Sequence, residues 1–140
     1  MGTDSNAHQA RVIPEVLAEI RQHAAETYPN ECCGALIASG GRIVEACRLP
    51  NTTAAGARRR FRISPADYRR SEQRARELQG ALAGFYHSHP DHPARPSRHD
   101  LEHAWPNLTY VIIAVKSGEP SEITSWRLRD DRSGFNQGEL

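Results

Sequence analysis

A chain of 140 residues with 38% hydrophobic and 25% charged residues has the size and balance of one globular domain, because a second core cut from this length would be too small to stand without staples. The formal net charge of +1 supplies no overall attraction to nucleic acid or anionic lipid. The expectation is therefore a protein with neither a nucleic-acid nor a membrane partner.

No window reaches the roughly 18 apolar residues of a membrane span, and the first dozen residues lack the basic start and apolar stretch of a secretory signal. The three cysteines, Cys32, Cys33 and Cys47, include an adjacent pair and no C-x-x-C. That pattern suits reduced thiols in a cytoplasmic protein better than a disulfide framework or a cysteine zinc site.

In chain order, a polar leader over residues 1–10 precedes "IPEVLAEIRQHAAETYPN" (13–30). There Val16, Leu17, Ile20, His23, Ala24 and Thr27 recur at helical spacing, with Pro14 in the first turn and Pro29 as the stop. "CCGALIAS" (32–39) and "RIVEACRLPN" (42–51) flank Gly40-Gly41 and predict a hairpin. "ARRRFRIS" (57–64) alternates Arg59, Phe61 and Ile63 against Arg58, Arg60 and Arg62, as a strand with a solvated basic face would.

A second helix follows over residues 64–80, with Ser64 as cap, Pro65 at its first position and Gly80 as its end. "ALAGFYHSH" (81–89), "LTYVIIAVK" (108–116) and "SEITSWRLR" (121–129) predict three more strands, and "SRHDLEHAW" a short helix before Pro106. The remainder, 131–140, suggests a loose tail. The whole predicts an α+β domain over residues 11–130, built on a mixed, mostly antiparallel sheet of about six strands flanked by helices.

Chemistry concentrates in "GFYHSHPDHPARPSRHDLEH" (84–103), which holds five of the seven histidines. His87 and His89, two apart at a strand end, point to the same side and can share a metal. Pro90, Pro93 and Pro96 then shape a loop, with His92 inside it. Asp100, in the first turn of the short helix, can swing back as a third, anionic ligand.

Two imidazoles and one carboxylate leave zinc an open fourth position, the arrangement that lowers water's pKa to about 7. Ser97 and Asp100 also spell a capping box, and the two roles are compatible. A rival pattern, His99-x-x-Glu102-His103, places two histidines one turn apart. It normally requires a distant carboxylate and a long helical domain, which the strand-like remainder of the chain does not offer.

A metal-held water requires a base that is not itself a ligand. Glu31, among apolar residues at the entry to the first strand, is the candidate. Cys32 and Cys33 beside it read as small buried residues, with a regulatory thiolate as the alternative. A Cys-His nucleophile leaves most of the set unexplained, and a zinc deaminase requires P-C-x-x-C, which the chain lacks.

Glu31, His87-Ser88-His89-Pro90, Ser97 and Asp100 together resemble the signature of the JAMM, or MPN-plus, zinc metalloproteases. The resemblance covers roughly residues 11–130 and is to the compact prokaryotic members, whose "ECCG"-like segment residues 31–34 also match. It implies one zinc per chain, held by His87, His89 and Asp100. It also implies Glu31 as the general base that holds and activates the zinc-bound water, and Ser97 as a donor to the oxyanion.

The activity so implied is a metallopeptidase, deubiquitinase-like, that cuts a peptide or isopeptide bond after the C-terminal tail of a ubiquitin-like or sulfur-carrier β-grasp protein. The alternative is a noncatalytic interaction module of the same fold with a structural zinc. The sequence does not set an oligomeric state or name the protein substrate.

Overall fold

The computed structural model describes residues 10–140. The leader expected over residues 1–10 lies outside the described residues except for Ala10, which packs on the core. The elements are β1 (Arg11–Val12), α1 (Pro14–Thr27), β2 (Cys33–Ser39), β3 (Arg42–Leu49), α2 (Pro65–Glu77), β4 (Ala81–Pro90), α3 (Arg98–His103), β5 (Thr109–Lys116), β6 (Glu119–Leu128) and β7 (Phe135–Gly138).

The strands form one seven-stranded sheet in the order β1-β3-β2-β4-β5-β6-β7. Only β1–β3 and β4–β5 are parallel, so the sheet is mixed and mostly antiparallel, as the alternating runs imply. The tight Gly40-Gly41 turn, with φ of 61° and 78°, closes the first hairpin in a backbone region that glycine enters without steric cost.

Helix α1 lays Val16, Ile20 and Ala24 on one face of the sheet, against Leu36, Ile43, Tyr86, Val111 and Ile113. The opposite face carries Ala35, Phe85 and Tyr110 under Tyr68 of α2 and Leu101 of α3. Strand β5 is buried on both faces, which accounts for its unbroken β-branched run. His23 belongs to the α1 side, with its Nδ1 2.6 Å from the Tyr86 hydroxyl. Burial, and then the charge of Arg48, lower its pKa, so it reads as a core histidine.

Two expectations are corrected. Residues 57–64 are not a strand. Asn51 and Thr52 take the groups a ladder would use: Asn51 Oδ1 accepts from Arg62 N and Asn51 Nδ2 donates to Arg60 O, while Thr52 N and Oγ1 both donate to Arg62 O. The alternation there marks a wall with one apolar side, Phe61 and Ile63, rather than a pleat. Conversely, Phe135–Gly138, within the expected loose tail, pairs with β6, and Phe135 packs on Tyr110 at the sheet face.

Gly84 sits where the backbone of β5 leaves no room for a side chain. A Cβ there would lie 1.8 Å from the Thr109 carbonyl oxygen, whereas one at Gly138 would meet nothing within 4 Å. Gly84→Ala is therefore expected to cost about 2 kcal/mol or more in denaturant unfolding, and Gly138→Ala less than about 0.5 kcal/mol. Equal costs would show that the β4–β5 contact relaxes freely.

Candidate metal centre

The site lies at the C-terminal end of β4. Residues Phe85, His87 and His89 alternate onto the α2/α3 face of the sheet, while Tyr86 and Ser88 point to the α1 face. Cys33 of β2 pairs with His87 in antiparallel register. Continuing that register by two residues sets Glu31 opposite His89 on the same face. A carboxylate more than fifty positions upstream reaches the histidines in this way.

Ser88, which the sequence reading left without a role, fastens the arrangement from behind. Its Oγ accepts from Cys32 N at 2.8 Å, and its own amide donates to Cys32 O at 3.2 Å. The other side of Glu31 is held by the 51–62 segment. Glu31 N donates to Ala57 O at 2.7 Å, and Asn51 Nδ2 donates to Glu31 O at 3.2 Å. The signal for Asn51 was present in the sequence only as a polar residue after Pro50.

The loop after β4 is braced in turn. Asp91 accepts from Tyr28 Oη and Ser117 N, and Thr124 Oγ1 donates to Ala94 O. The braced loop aims the Pro93 carbonyl at His89 Nδ1, 2.8 Å away. His89 Nδ1 thus carries the proton and Nε2 is left with its lone pair outward, as ligand histidines are commonly set. His92 lies in this loop as expected; it bonds Pro90 O through Nδ1 and stacks on His89 with ring centroids 4.4 Å apart. On the other flank Phe61 stacks on His87, also at 4.4 Å.

His87 Nε2, His89 Nε2 and Asp100 Oδ2 form a triangle with sides of 3.2 Å. Both histidines are about 1% exposed. Two imidazole nitrogens and a carboxylate oxygen that converge on one point make a donor set for a cation. Tetrahedral zinc with bonds of roughly 2.0–2.2 Å keeps its ligand atoms about 3.3–3.5 Å apart, so this donor set fits it.

The capping box is also present. Ser97 Oγ accepts from Asp100 N at 3.0 Å, and Asp100 Oδ2 accepts from Ser97 N at 2.8 Å. Burial opposes ionisation of Asp100, but the two imidazoles and the Ser97 amide outweigh it and hold the carboxyl well below the usual range.

Glu31 is 1% exposed, and its Oε1 has no hydrogen-bond partner among the described residues. Burial pushes its pKa up to about 8, with His89 pulling it down and Asp100 adding to the rise. One of its carboxylate oxygens lies within 4.8 Å of ring nitrogens of His89 and His92. The neighbouring thiols are inert by comparison, since burial raises Cys32 to about 11 and Cys33 to about 12. His99, Glu102 and His103 also cluster on α3, with His99 and His103 on the wall of the cavity beside the triangle and Glu102 and His103 exposed.

Beside the triangle opens a cavity of about 610 Å³ with His87 and Asp100 at one end. Its walls are mostly apolar and aromatic, including Phe61, Ile63, Tyr68, Phe85, Trp105 and Tyr110. Trp105, at 48% exposure, stands at its mouth.

Residues 14–129 match the family of prokaryotic homologs of the JAB domain, and the chain belongs to that family. It is 33% identical over 101 residues to the desampylase of Haloferax volcanii, covering 71% of this chain and 73% of that protein. It is 27% identical over 109 residues to the CysO-cysteine peptidase of Mycobacterium tuberculosis, 77% of this chain and 75% of that one. A third relative is the tail tip assembly protein K of Escherichia phage N15, 33% identical over 121 residues. That match takes in 86% of this chain but spans only 43% of the phage protein.

Among solved structures, a Salinibacter ruber protein superposes with a TM-score of 0.72 at 40% identity, over 93% of this chain and 89% of that one. A JAB1/MPN domain protein from Archaeoglobus fulgidus shares the fold, with a TM-score of 0.59 at 19% identity, over 94% and 93% of the two chains. The expected α+β architecture of the JAB/MPN type is thereby established.

The raised pKa of Glu31 has a measurable sign. A carboxyl whose folded pKa of about 8 exceeds its unfolded value binds more protons when folded, so its contribution to stability is present below the unfolded pKa and lost as pH rises towards 8. Metal-free protein should lose up to a few kcal/mol on this account between about pH 5 and pH 8, and Glu31→Gln should flatten that part of the profile. A denaturation profile unchanged by the substitution would show Glu31 ionised throughout.

Proposed function

We propose that the protein is a zinc-dependent metallopeptidase of the JAMM type. In this reading it hydrolyses a peptide or isopeptide bond after the C-terminal tail of a ubiquitin-like or sulfur-carrier protein. One observation carries the reading: three ligand atoms 3.2 Å apart beside the buried Glu31, whose Oε1 has no hydrogen-bond partner among the described residues. The desampylase and CysO-cysteine peptidase relatives support the substrate class. Analogy alone carries that part, because a fold hosts many activities.

His87, His89 and Asp100 would hold the zinc. When bound, zinc supplies a Lewis acid that lowers the pKa of water to about 7 and polarises a carbonyl. Glu31 Oε1, buried and without a hydrogen-bond partner among the described residues, takes a proton from the attacking water and delivers it to the leaving amine. Ser97 Oγ is already an acceptor for Asp100 N, which leaves its own hydrogen to donate to the oxyanion.

The substrate tail would lie along the apolar cavity, whose walls exclude water from the reacting bond. A noncatalytic module with a structural zinc would have no use for Glu31. Burying a carboxyl group beside the metal centre without a hydrogen-bond partner costs stability, and a chemical role accounts for that cost.

Zinc content and cleavage of a carrier protein extended beyond its terminal Gly-Gly test both parts. Glu31→Gln should retain zinc and lose about 10²-fold or more in kcat. Full activity in that variant would remove the assigned mechanism. His89→Ala and Asp100→Ala should lose zinc, whereas His99→Ala and His103→Ala should keep it, and the reverse pattern would move the metal to α3.

A further inference from the structure

Arg58, Arg59, Arg60 and Arg62 are exposed, and their guanidinium groups make no ion pair or hydrogen bond with the described residues. Arg48 and Arg74, by contrast, are paired, Arg48 with Glu19 and Glu26 and Arg74 with Glu45. The chain as a whole carries only +1, so this turn is a local excess of positive charge.

Its position is specific. Phe61, between Arg60 and Arg62, stacks on His87 with ring centroids 4.4 Å apart, while Arg62 lines the cavity together with Arg69 of α2. The arginines thus rim the metal centre.

The turn is also fixed. Arg59 N and Arg60 N both donate to Gly56 O, and Asn51 holds Arg60 O and Arg62 N. The same segment holds both backbone groups of Glu31, through Ala57 O and Asn51 Nδ2. Cations carried on a fixed main chain that also holds the candidate base form a recognition surface whose backbone loses little conformational freedom on binding.

Resting on the hydrolase reading above, we propose that the arginine turn at residues 58–62 docks carboxylate side chains of the protein substrate, on the acidic segment that leads into the cavity. Guanidinium forks match carboxylates two bonds at a time. A nucleic acid fits less well, because a chain of only +1 overall is net acidic outside this turn and opposes a polyanion longer than the rim. A protein presenting a few carboxylates at the rim meets no such barrier.

The test uses zinc-loaded protein and a β-grasp carrier fused through Gly-Gly to a short peptide. The four residues before Gly-Gly are made glutamate, glutamine or lysine. At about 50 mM salt, kcat/KM should be about tenfold higher for the glutamate version than for glutamine, and the ratio should fall below about threefold at about 500 mM salt. Changing Arg58, Arg59 and Arg60 together to Glu should reverse the preference towards lysine at unchanged zinc content and melting temperature. Arg59→Glu alone should weaken it, which serves if the triple variant folds poorly.

Equal cleavage of the three versions, or a triple variant that keeps the glutamate preference, would overturn the proposal. Single-stranded DNA bound more tightly than the glutamate carrier, and lost in the triple variant, would overturn it in favour of nucleic acid. Failure to cleave any version would count against the hydrolase reading. Calorimetric binding of the three carriers to Glu31→Gln protein then decides the docking surface separately, with glutamate preference supporting it and indifference overturning it.

Discussion

The arrangement of this molecule depends on the antiparallel register between β2 and β4. Pairing Cys33 with His87 puts Glu31 across from His89 and turns both towards the face where α3 begins. A slip of one residue in either strand would turn that strand's side chains to the α1 face and part Glu31 from the histidines. Several features guard against that slip. Gly34 leaves room for the Tyr86 ring, since a Cβ there would lie 2.1 Å from the ring, and Ser88 ties the two strands together through the Cys32 backbone.

Around that register the site is assembled from parts that each have an ordinary structural use. Asp100 caps a helix and completes a triangle of ligand atoms with the same oxygen. The proline-rich loop orients His89 through one carbonyl. Asn51 closes a loop and holds the strand entry carrying Glu31. Economy of this kind means that most substitutions near the centre will disturb both stability and chemistry. Zinc content and melting temperature must therefore accompany any activity measurement, because residues sharing partners do not contribute additively.

The sequence made much of this legible. Helix α1, the Gly40-Gly41 hairpin and α2 with its Ser64 cap follow from periodicity and capping chemistry, which act within a few residues. His87, His89, Ser97 and Asp100 lie within fourteen positions, so their convergence could be anticipated from a strand end followed by a helix start. The 57–64 segment misled because a one-sided apolar wall and a half-buried strand share the same alternation. The groups that decide between them sit at Asn51 and Thr52. The pairing of Phe135–Gly138 with β6 was invisible for a similar reason, since an edge strand of four residues carries almost no local signal. Ser88 and Asn51 act through contacts 56 and 20 residues away in sequence, and no spacing rule reaches so far.

X-ray absorption at the zinc edge of the metal-loaded protein tests the central claim most directly. The account predicts one zinc per chain bound by two imidazole nitrogens, one carboxylate oxygen and one solvent oxygen, with the zinc signal itself lost in His87→Ala and His89→Ala protein. Sulfur in the first coordination sphere, or an unchanged spectrum after both histidine substitutions, would contradict it.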